Sequence, residues 1–168
     1  MEKKFGPVNG GMEGNVPRRI LFVCHGNICR SPMAEMLFKH LLRQRGLTDL
    51  FEVASAATST EEIGNPIYPP ARRELAAHGV AVEKRAARQV TMRDYAHYDL
   101  LVGMDNANIR NLRRMLNGDP EGKVHRLMDF TDRPGEVADP WYNDRFDVCY
   151  RDVLEGCEGL LAWLLGED

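Results

Sequence analysis

The sequence predicts an α/β fold in which a parallel sheet is covered on both faces by helices. Three observations carry that expectation. Short apolar, β-branched runs alternate with segments of helical period along the chain. The first of these runs, Ile20 to Val23, is apolar without interruption, as a strand buried on both faces must be. At 168 residues, with 43% hydrophobic and 28% charged residues, the chain can bury one substantial core and is too ordinary in composition to be disordered.

The elements follow in order. Residues 1–17 carry four glycines and two prolines with no periodicity, and read as a flexible N-terminal extension that leaves 18–168 as a single domain. After the Ile20 strand and a short loop, Ser31-Pro32 opens a helix, serine as N-cap and proline as first helical residue. Met33, Leu37 and Leu41 recur at four-residue spacing, and Gly46 stops the helix. Phe51 to Ala57 is the second strand. Pro69 and Pro70 precede a helix over Ala71 to His78, ended by Gly79. Thr91 with Asp94 forms a capping box for a short helix. Leu100 to Met104 is the third strand, Asn106 to Leu116 a helix, and Val124 to Phe130 the fourth strand. The last helix runs from about Asp144 to Leu165, with Phe146, Val153, Leu154, Leu160, Leu161 and Leu164 as its apolar positions. Strands alternating with helices imply right-handed crossovers, and in such sheets ligands sit at the carboxyl ends of the strands where strand order switches. The loop after the first strand is the place to look.

Several function classes are disfavoured first. A net charge of −3 argues against a broad basic field for nucleic acid. The longest apolar runs, Ile20 to Cys24 and Leu160 to Leu165, fall far short of the ~20 residues that span a bilayer, and Lys3-Lys4 is not followed by an apolar signal segment. Four cysteines (Cys24, Cys29, Cys149, Cys157) are too sparse for a disulfide scaffold, which points to the reducing cytoplasm. The histidines (His25, His40, His78, His97, His125) lack metal-ligand spacing, so neither metal nor other cofactor is expected. The clusters Arg72-Arg73, Arg85 to Arg88 and Arg113-Arg114 read as solvated faces.

The loop itself is Cys24-His25-Gly26-Asn27-Ile28-Cys29-Arg30-Ser31-Pro32. Each part has a task if the ligand is a phosphate. A helix N-terminus offers unpaired N–H groups and a positive dipole end. Gly26 allows close backbone approach, and Asn27 tolerates the left-handed conformation of an anion-wrapping turn. Arg30 presents a planar fork to two phosphoryl oxygens. The same field favours Cys24 as a thiolate, nucleophilic at neutral pH without a partner base. Ser31 is placed to donate a hydrogen bond to that sulfur. Downstream, in Ala138-Asp139-Pro140-Trp141-Tyr142, proline fixes the backbone that presents Asp139, a proton donor for a departing alkoxide or phenolate. Trp141 and Tyr142 would wall an aromatic leaving group. Asp105 opens a helix after the third strand, either as a plain N-cap or as support for the phosphate loop.

From about Arg19 to Leu165 the chain closely resembles the low-molecular-weight protein tyrosine phosphatase family. The most specific matches are VCHGNICRSPMAE (Val23 to Glu35), SAATS (Ser55 to Ser59), ARQVT (Ala87 to Thr91), MDNANIRNL (Met104 to Leu112) and DPWY (Asp139 to Tyr142). The resemblance implies a three-layer α/β/α domain with a four-stranded parallel sheet of order 2-1-3-4, the phosphotyrosine phosphatase I-like fold. It implies Cys24 as nucleophile, Arg30 as phosphate clamp and Asp139 as general acid and then base, with inorganic phosphate as product. Ser31, Asn27 and Ser55 would support the loop, His78 would match a family histidine bracing Asn27, and Cys29 would trap an oxidised Cys24 as a reversible disulfide. Phosphotyrosine proteins would be the substrates, and a tyrosine kinase the partner that makes them. His25 stands where animal members carry leucine, and Glu61 where they often carry tryptophan, which makes the cleft rim more polar.

Two alternatives share this fold. A thiol-dependent arsenate reductase would relay oxidation through further cysteines, but Cys149 and Cys157 read as structural residues of the last helix. A phosphoarginine phosphatase would resemble this loop with threonine in place of Ile28. A phosphate-binding module without turnover would need neither Cys24 nor Asp139.

Overall fold

The computed structural model describes residues 18–167, and the extension read over 1–17 lies outside them. The sheet is formed by β1 (Arg18–Cys24), β2 (Phe51–Ala57), β3 (Leu100–Gly103) and β4 (Val124–Arg126) in the order β2-β1-β3-β4, every neighbouring pair parallel. Among the described residues six α-helices accompany it: α1 (Arg30–Arg45), α2 (Pro69–Ala77), α3 (Met92–His97), α4 (Asn106–Met115), α5 (Pro140–Asn143) and α6 (Phe146–Leu165). Among the described residues no helix is long and apolar enough to cross a membrane.

The uninterrupted apolar run of β1 is explained by the alternation of a strand's side chains between two faces. Ile20, Phe22 and Cys24 enter one core with residues of α1, α2 and α6. Leu21 and Val23 enter a second with Tyr95, Tyr98, Ile109 and Leu112. Ile20 through Val23 are all fully buried, each contributing on the order of 1.5–3 kcal/mol. Phe38 bridges β1 and β2, its ring 5.7 Å from both Phe22 and Phe51.

From β1 the chain moves through α1 to β2 on one side, and from β3 through α4 to β4 on the other. Strand order therefore switches between β1 and β3. Their carboxyl ends, at Cys24 and Gly103, open the crevice in which the site lies.

Several boundaries differ from the sequence reading: β1 extends from Arg18 to Cys24, α2 takes both prolines into its first turn and ends at Ala77, and three further shifts bear on how the helices dock. Helix α1 begins at Arg30 with Cys29 as N-cap, and no side chain caps it. Ser31 does not cap because its hydroxyl is engaged within the loop. The fourth strand ends at Arg126, after which Leu127–Phe130 forms a 3-10 turn beneath α6. Gly156 and Gly159 permit that docking: a Cβ on Gly156 would meet the Leu127 side chain, and one on Gly159 the backbone of Phe130. The last helix starts at Phe146 rather than near Asp144, because Asp144 adopts a left-handed conformation (φ 58°) that separates α5 from α6. The stop of α1 and the cap of α3 are as read. Gly46 ends α1 at φ 67°, donating to Arg43 and Leu42 carbonyls, and Thr91 and Asp94 form the expected capping box.

Candidate active site

Beyond β1 the chain turns through residues 25–29 and enters α1, wrapping around the sulfur of Cys24. The Asn27 and Ser31 amides donate to Sγ at 3.3 and 3.4 Å, and the Ser31 hydroxyl lies 3.1 Å from it. The loop turns its carbonyls outward. Those of Cys24, His25 and Ile28 accept from the Thr58, Ser59 and Tyr68 amides, which leaves the N–H edge facing inward. Asn27 has φ 60°, as the turn requires. Gly26 is not in a left-handed conformation; its role is steric, since a Cβ there would stand 3.3 Å from the Glu62 side chain.

A proton-ordered chain supports this cradle. Asn27 Oδ1 accepts from the Arg85 guanidinium and from the Arg88 amide (3.2 Å). That fixes the amide, so Asn27 Nδ2 donates to the Ser31 and Ser55 hydroxyls at 2.8 and 3.0 Å. Ser55 in turn donates to buried Glu35 at 2.6 Å, a carboxylate that can only accept, and Glu35 is held by Lys39 at 2.8 Å. With a lone pair serving Asn27, the Ser31 hydroxyl has its hydrogen to donate, to Cys24 Sγ at 3.1 Å or to the more distant Ala56 carbonyl at 3.4 Å.

Arg30 is the other fixed element. Its side chain is 3% exposed; Nη1 donates to Asp105 Oδ2 at 2.7 Å and to the Val137 carbonyl at 3.0 Å, and Nη2 lies 3.4 Å from Asp139 Oδ2. Burial alone would weaken its hold on the proton, but Cys24 and the Asp105 hydrogen bond outweigh this and raise its pKa above the usual guanidinium range. Asp105 fills both suggested roles: Oδ1 caps α4 by accepting from the Asn108 amide at 2.8 Å, while Oδ2 holds Arg30. Asp139 sits across the cleft as the N-cap of α5, with Oδ1 accepting from the Trp141 amide at 3.1 Å.

These groups open into a cleft of about 340 Å³ lined by Cys24, His25, Gly26, Ile28, Cys29, Arg30, Glu61, Glu62, Asp139, Trp141 and Tyr142. Trp141 is propped against Tyr68, ring centroids 5.1 Å apart, whereas Tyr142 is 86% exposed. On the rim His25 pairs with Glu61 at 3.0 Å.

The other thiols differ from Cys24 in setting. Burial, then the negative charges at Cys24 and Asp139, pushes the Cys29 thiol up. Burial pushes Cys149 up to about 12 and raises Cys157 as well. Cys149 packs against Met33 and Cys157 against the Ala34 carbonyl, as neutral core residues. This is poor chemistry for a thiol relay.

His78 is a correction. It does not brace Asn27: its ring stacks on Tyr150 at 3.8 Å and its Nε2 pairs with Glu74 at 3.1 Å, because it ends α2 on the face turned to α6. Arg85 takes the place assigned to it, so the Arg85 to Arg88 cluster is not merely a solvated face. Arg88 is also occupied, its fork on Asp94 at 2.9 and 3.0 Å. Glu35, Arg85 and Arg88 were missed. The signal for Glu35 was its place four residues after Ser31, on the same helical face.

The sequence profile described as "Low molecular weight phosphotyrosine protein phosphatase" matches residues 19–168. Low molecular weight protein-tyrosine-phosphatase YfkJ of Bacillus subtilis is 37% identical over 145 residues, covering 85% of this chain and 93% of that protein. The low molecular weight phosphotyrosine protein phosphatase of Rattus norvegicus is 37% identical over 149 residues, covering 86% and 94%. The crystal structure of YfkJ superposes with a TM-score of 0.86 over 89% of this chain and 96% of that one, at 35% identity. A Drosophila arginine phosphatase, DARP, superposes with a TM-score of 0.78 at 31% identity, covering 84% and 94%.

Proposed function

The chain belongs to the low molecular weight phosphotyrosine protein phosphatase family and is a protein tyrosine phosphatase, a hydrolase, and from that premise we propose how its residues divide the work. The Cys24 thiolate attacks phosphorus in line with the phenolic oxygen. As the P–O bond breaks, Asp139 gives its proton to the leaving oxygen, whose phenol has a pKa near ~10 and departs poorly as an anion. The product of this step is a phosphocysteine. Asp139, now ionised, takes a proton from water; the resulting hydroxide displaces Cys24 and releases inorganic phosphate. Loop amides and the Arg30 fork stabilise the three equatorial oxygens in both steps. Ser31 donates to the sulfur as it leaves.

One observation carries this reading. Cys24 Sγ is met by two loop amides and one hydroxyl within 3.4 Å, at the floor of a cleft that Arg30 and Asp139 also line. Ile28, Trp141 and Tyr142 present apolar surface suited to an aryl leaving group, which supports phosphotyrosine over phosphoarginine. The substrates are phosphotyrosine proteins made by a tyrosine kinase, and a free nucleophilic thiol suits a reducing cytoplasm. Cys29, which shares the cleft wall, is the partner we assign for a protective disulfide with Cys24.

The test is hydrolysis of a phosphotyrosine peptide. Cys24→Ser abolishes it. Asp139→Ala slows it by roughly 10²–10⁴-fold, the range of lost general acid catalysis. Undiminished turnover by Cys24→Ser would falsify the mechanism.

A further inference from the structure

The charges around the phosphate loop pair off with one exception. Arg30 has Asp105 and Asp139, Lys39 has Glu35 and Glu83, and Arg88 has Asp94. Arg85 makes no ion pair among the described residues. One terminal nitrogen donates to Asn27 Oδ1, a neutral acceptor, and the other, Nη1, is buried with no partner. Its side chain also borders a groove with Ile67, Arg72, Val82, Glu83 and Lys84, where the one carboxylate, Glu83, is already paired with Lys39 at 2.8 Å.

We propose that Arg85, beyond bracing Asn27, is a positioning residue that sets behind Cys24 a permanent positive charge for which the thiolate is the uncommitted counter-ion. Three lines converge on this. Asn27 Oδ1 is the point from which the proton order of Ser31 and Ser55 is set, and Arg85 supplies one of its two donors. The anions that act on Arg85 are Glu35 and Cys24, and Glu35 is already committed to Lys39 and Ser55. Burial, opposed by those two anions and reinforced by Arg88, leaves the guanidinium less stable as a cation than in water, so ionising Cys24 relieves it. An arginine cannot give up its proton near neutral pH, so the charge stays on across the working range. The other titratable or charged groups that face Cys24 or Arg85 are His25, Cys29, Arg30, Glu61, Glu62, Asp105, Asp139 and Cys149 around the cleft, and Lys39, Arg72, Glu83, Lys84 and Arg88 around the guanidinium, and they are unchanged in the variants below.

The experiment measures Cys24 alkylation by iodoacetamide against pH, with the modified residue identified by mass spectrometry. It needs no turnover, so it is readable even if the phosphatase reading failed. Arg85→Gln keeps an N–H for Asn27 and removes the charge; its alkylation midpoint rises by about one pH unit, toward the lower end of what a nearby opposite charge supplies. Arg85→Lys keeps the charge and stays within about 0.3 units of wild type. Arg85→Met, which retains a long stem beside Ile67 and Val82 but offers Asn27 no donor, gives a rise at least as large as Arg85→Gln and serves if that variant unfolds. The acid limb of kcat/KM moves in parallel. Overlay of Arg85→Gln and Arg85→Met on wild type overturns the proposal, and so does a rise in Arg85→Lys equal to theirs.

Discussion

Replacing Asp105 by asparagine separates two duties carried by one carboxyl group. Oδ1 caps α4 and Oδ2 accepts from Arg30 at 2.7 Å. An asparagine that keeps its oxygen toward the Asn108 amide must turn its NH₂ toward the guanidinium, placing donor against donor. Removing one member of a buried ion pair costs about 3–5 kcal/mol. Asp105 is 21% exposed and Asp139 remains 3.4 Å away as a second partner, so we expect about 2–3 kcal/mol for Asp105→Asn. For a domain of this size that lowers Tm by roughly 5–10 °C. Asp105→Ala also loses the cap and costs about 1 kcal/mol more. Arg30 is then aimed only by Val137 and Asp139, so kcat/KM on an aryl phosphate falls by roughly 10–100-fold and inhibition by inorganic phosphate weakens. Thermal melts and steady-state kinetics on the same preparations provide the check. An Asp105→Asn protein melting within 1 °C of wild type, roughly the error of the method, with unchanged phosphate inhibition would refute the view of Asp105 as the anchor of Arg30.

Two further outcomes concern stability. Helix propensity alone would make Gly159→Ala stabilising by about 1 kcal/mol. The new Cβ would stand 3.0 Å from the Phe130 carbonyl carbon and closer still to its oxygen, and overpacking of that kind costs about 1–3 kcal/mol. Tm therefore falls, and a Tm equal to or above wild type contradicts the docking described for α6. Asp94 is an acid-sensitive carboxylate, buried in the first turn of α3. Burial would raise its pKa, but the Arg88 fork and the Thr91 amide outweigh burial and hold it below the ordinary value. A depressed native value means stabilisation that is present above the unfolded pKa of ~3.9 and lost as pH falls through the native one. Urea unfolding below about pH 4 is accordingly less pH-dependent in Asp94→Asn than in wild type; matching slopes count against the assignment.

The parts of the molecule legible in the sequence are those governed by local rules. β1 declared itself by an apolar run that only a doubly covered strand tolerates. Thr91 with Asp94, and Gly46, signalled their helix ends because capping depends on a few adjacent residues. The Cys24 to Ser31 loop was readable for the same reason, since anion, turn and helix start lie in one short stretch. What escaped depends on contacts distant in sequence. The end of β4 is set by the approach of Gly156 and Gly159 to Leu127 and Phe130, which no local pattern near residue 127 announces. His78 was misassigned and Arg85 overlooked because bracing Asn27 is decided by which side chain reaches across from the segment after α2. Arginine clusters are usually solvated, and only the fold reveals that this one is not.

By Ser31 the chain has delivered its sulfur and its guanidinium, yet the Val137 carbonyl and Asp139 that complete their surroundings follow 107 and 109 positions after Arg30. Closure over such separations is slow compared with local helix formation. At a synthesis rate of about 5–20 residues per second, a growing chain carries Cys24 for roughly 5–20 s before Asp139 exists. During that interval Cys24 is an ordinary thiol, mostly protonated at neutral pH and less reactive than the thiolate of the finished cradle. The activated sulfur therefore appears only once the fold has closed around it.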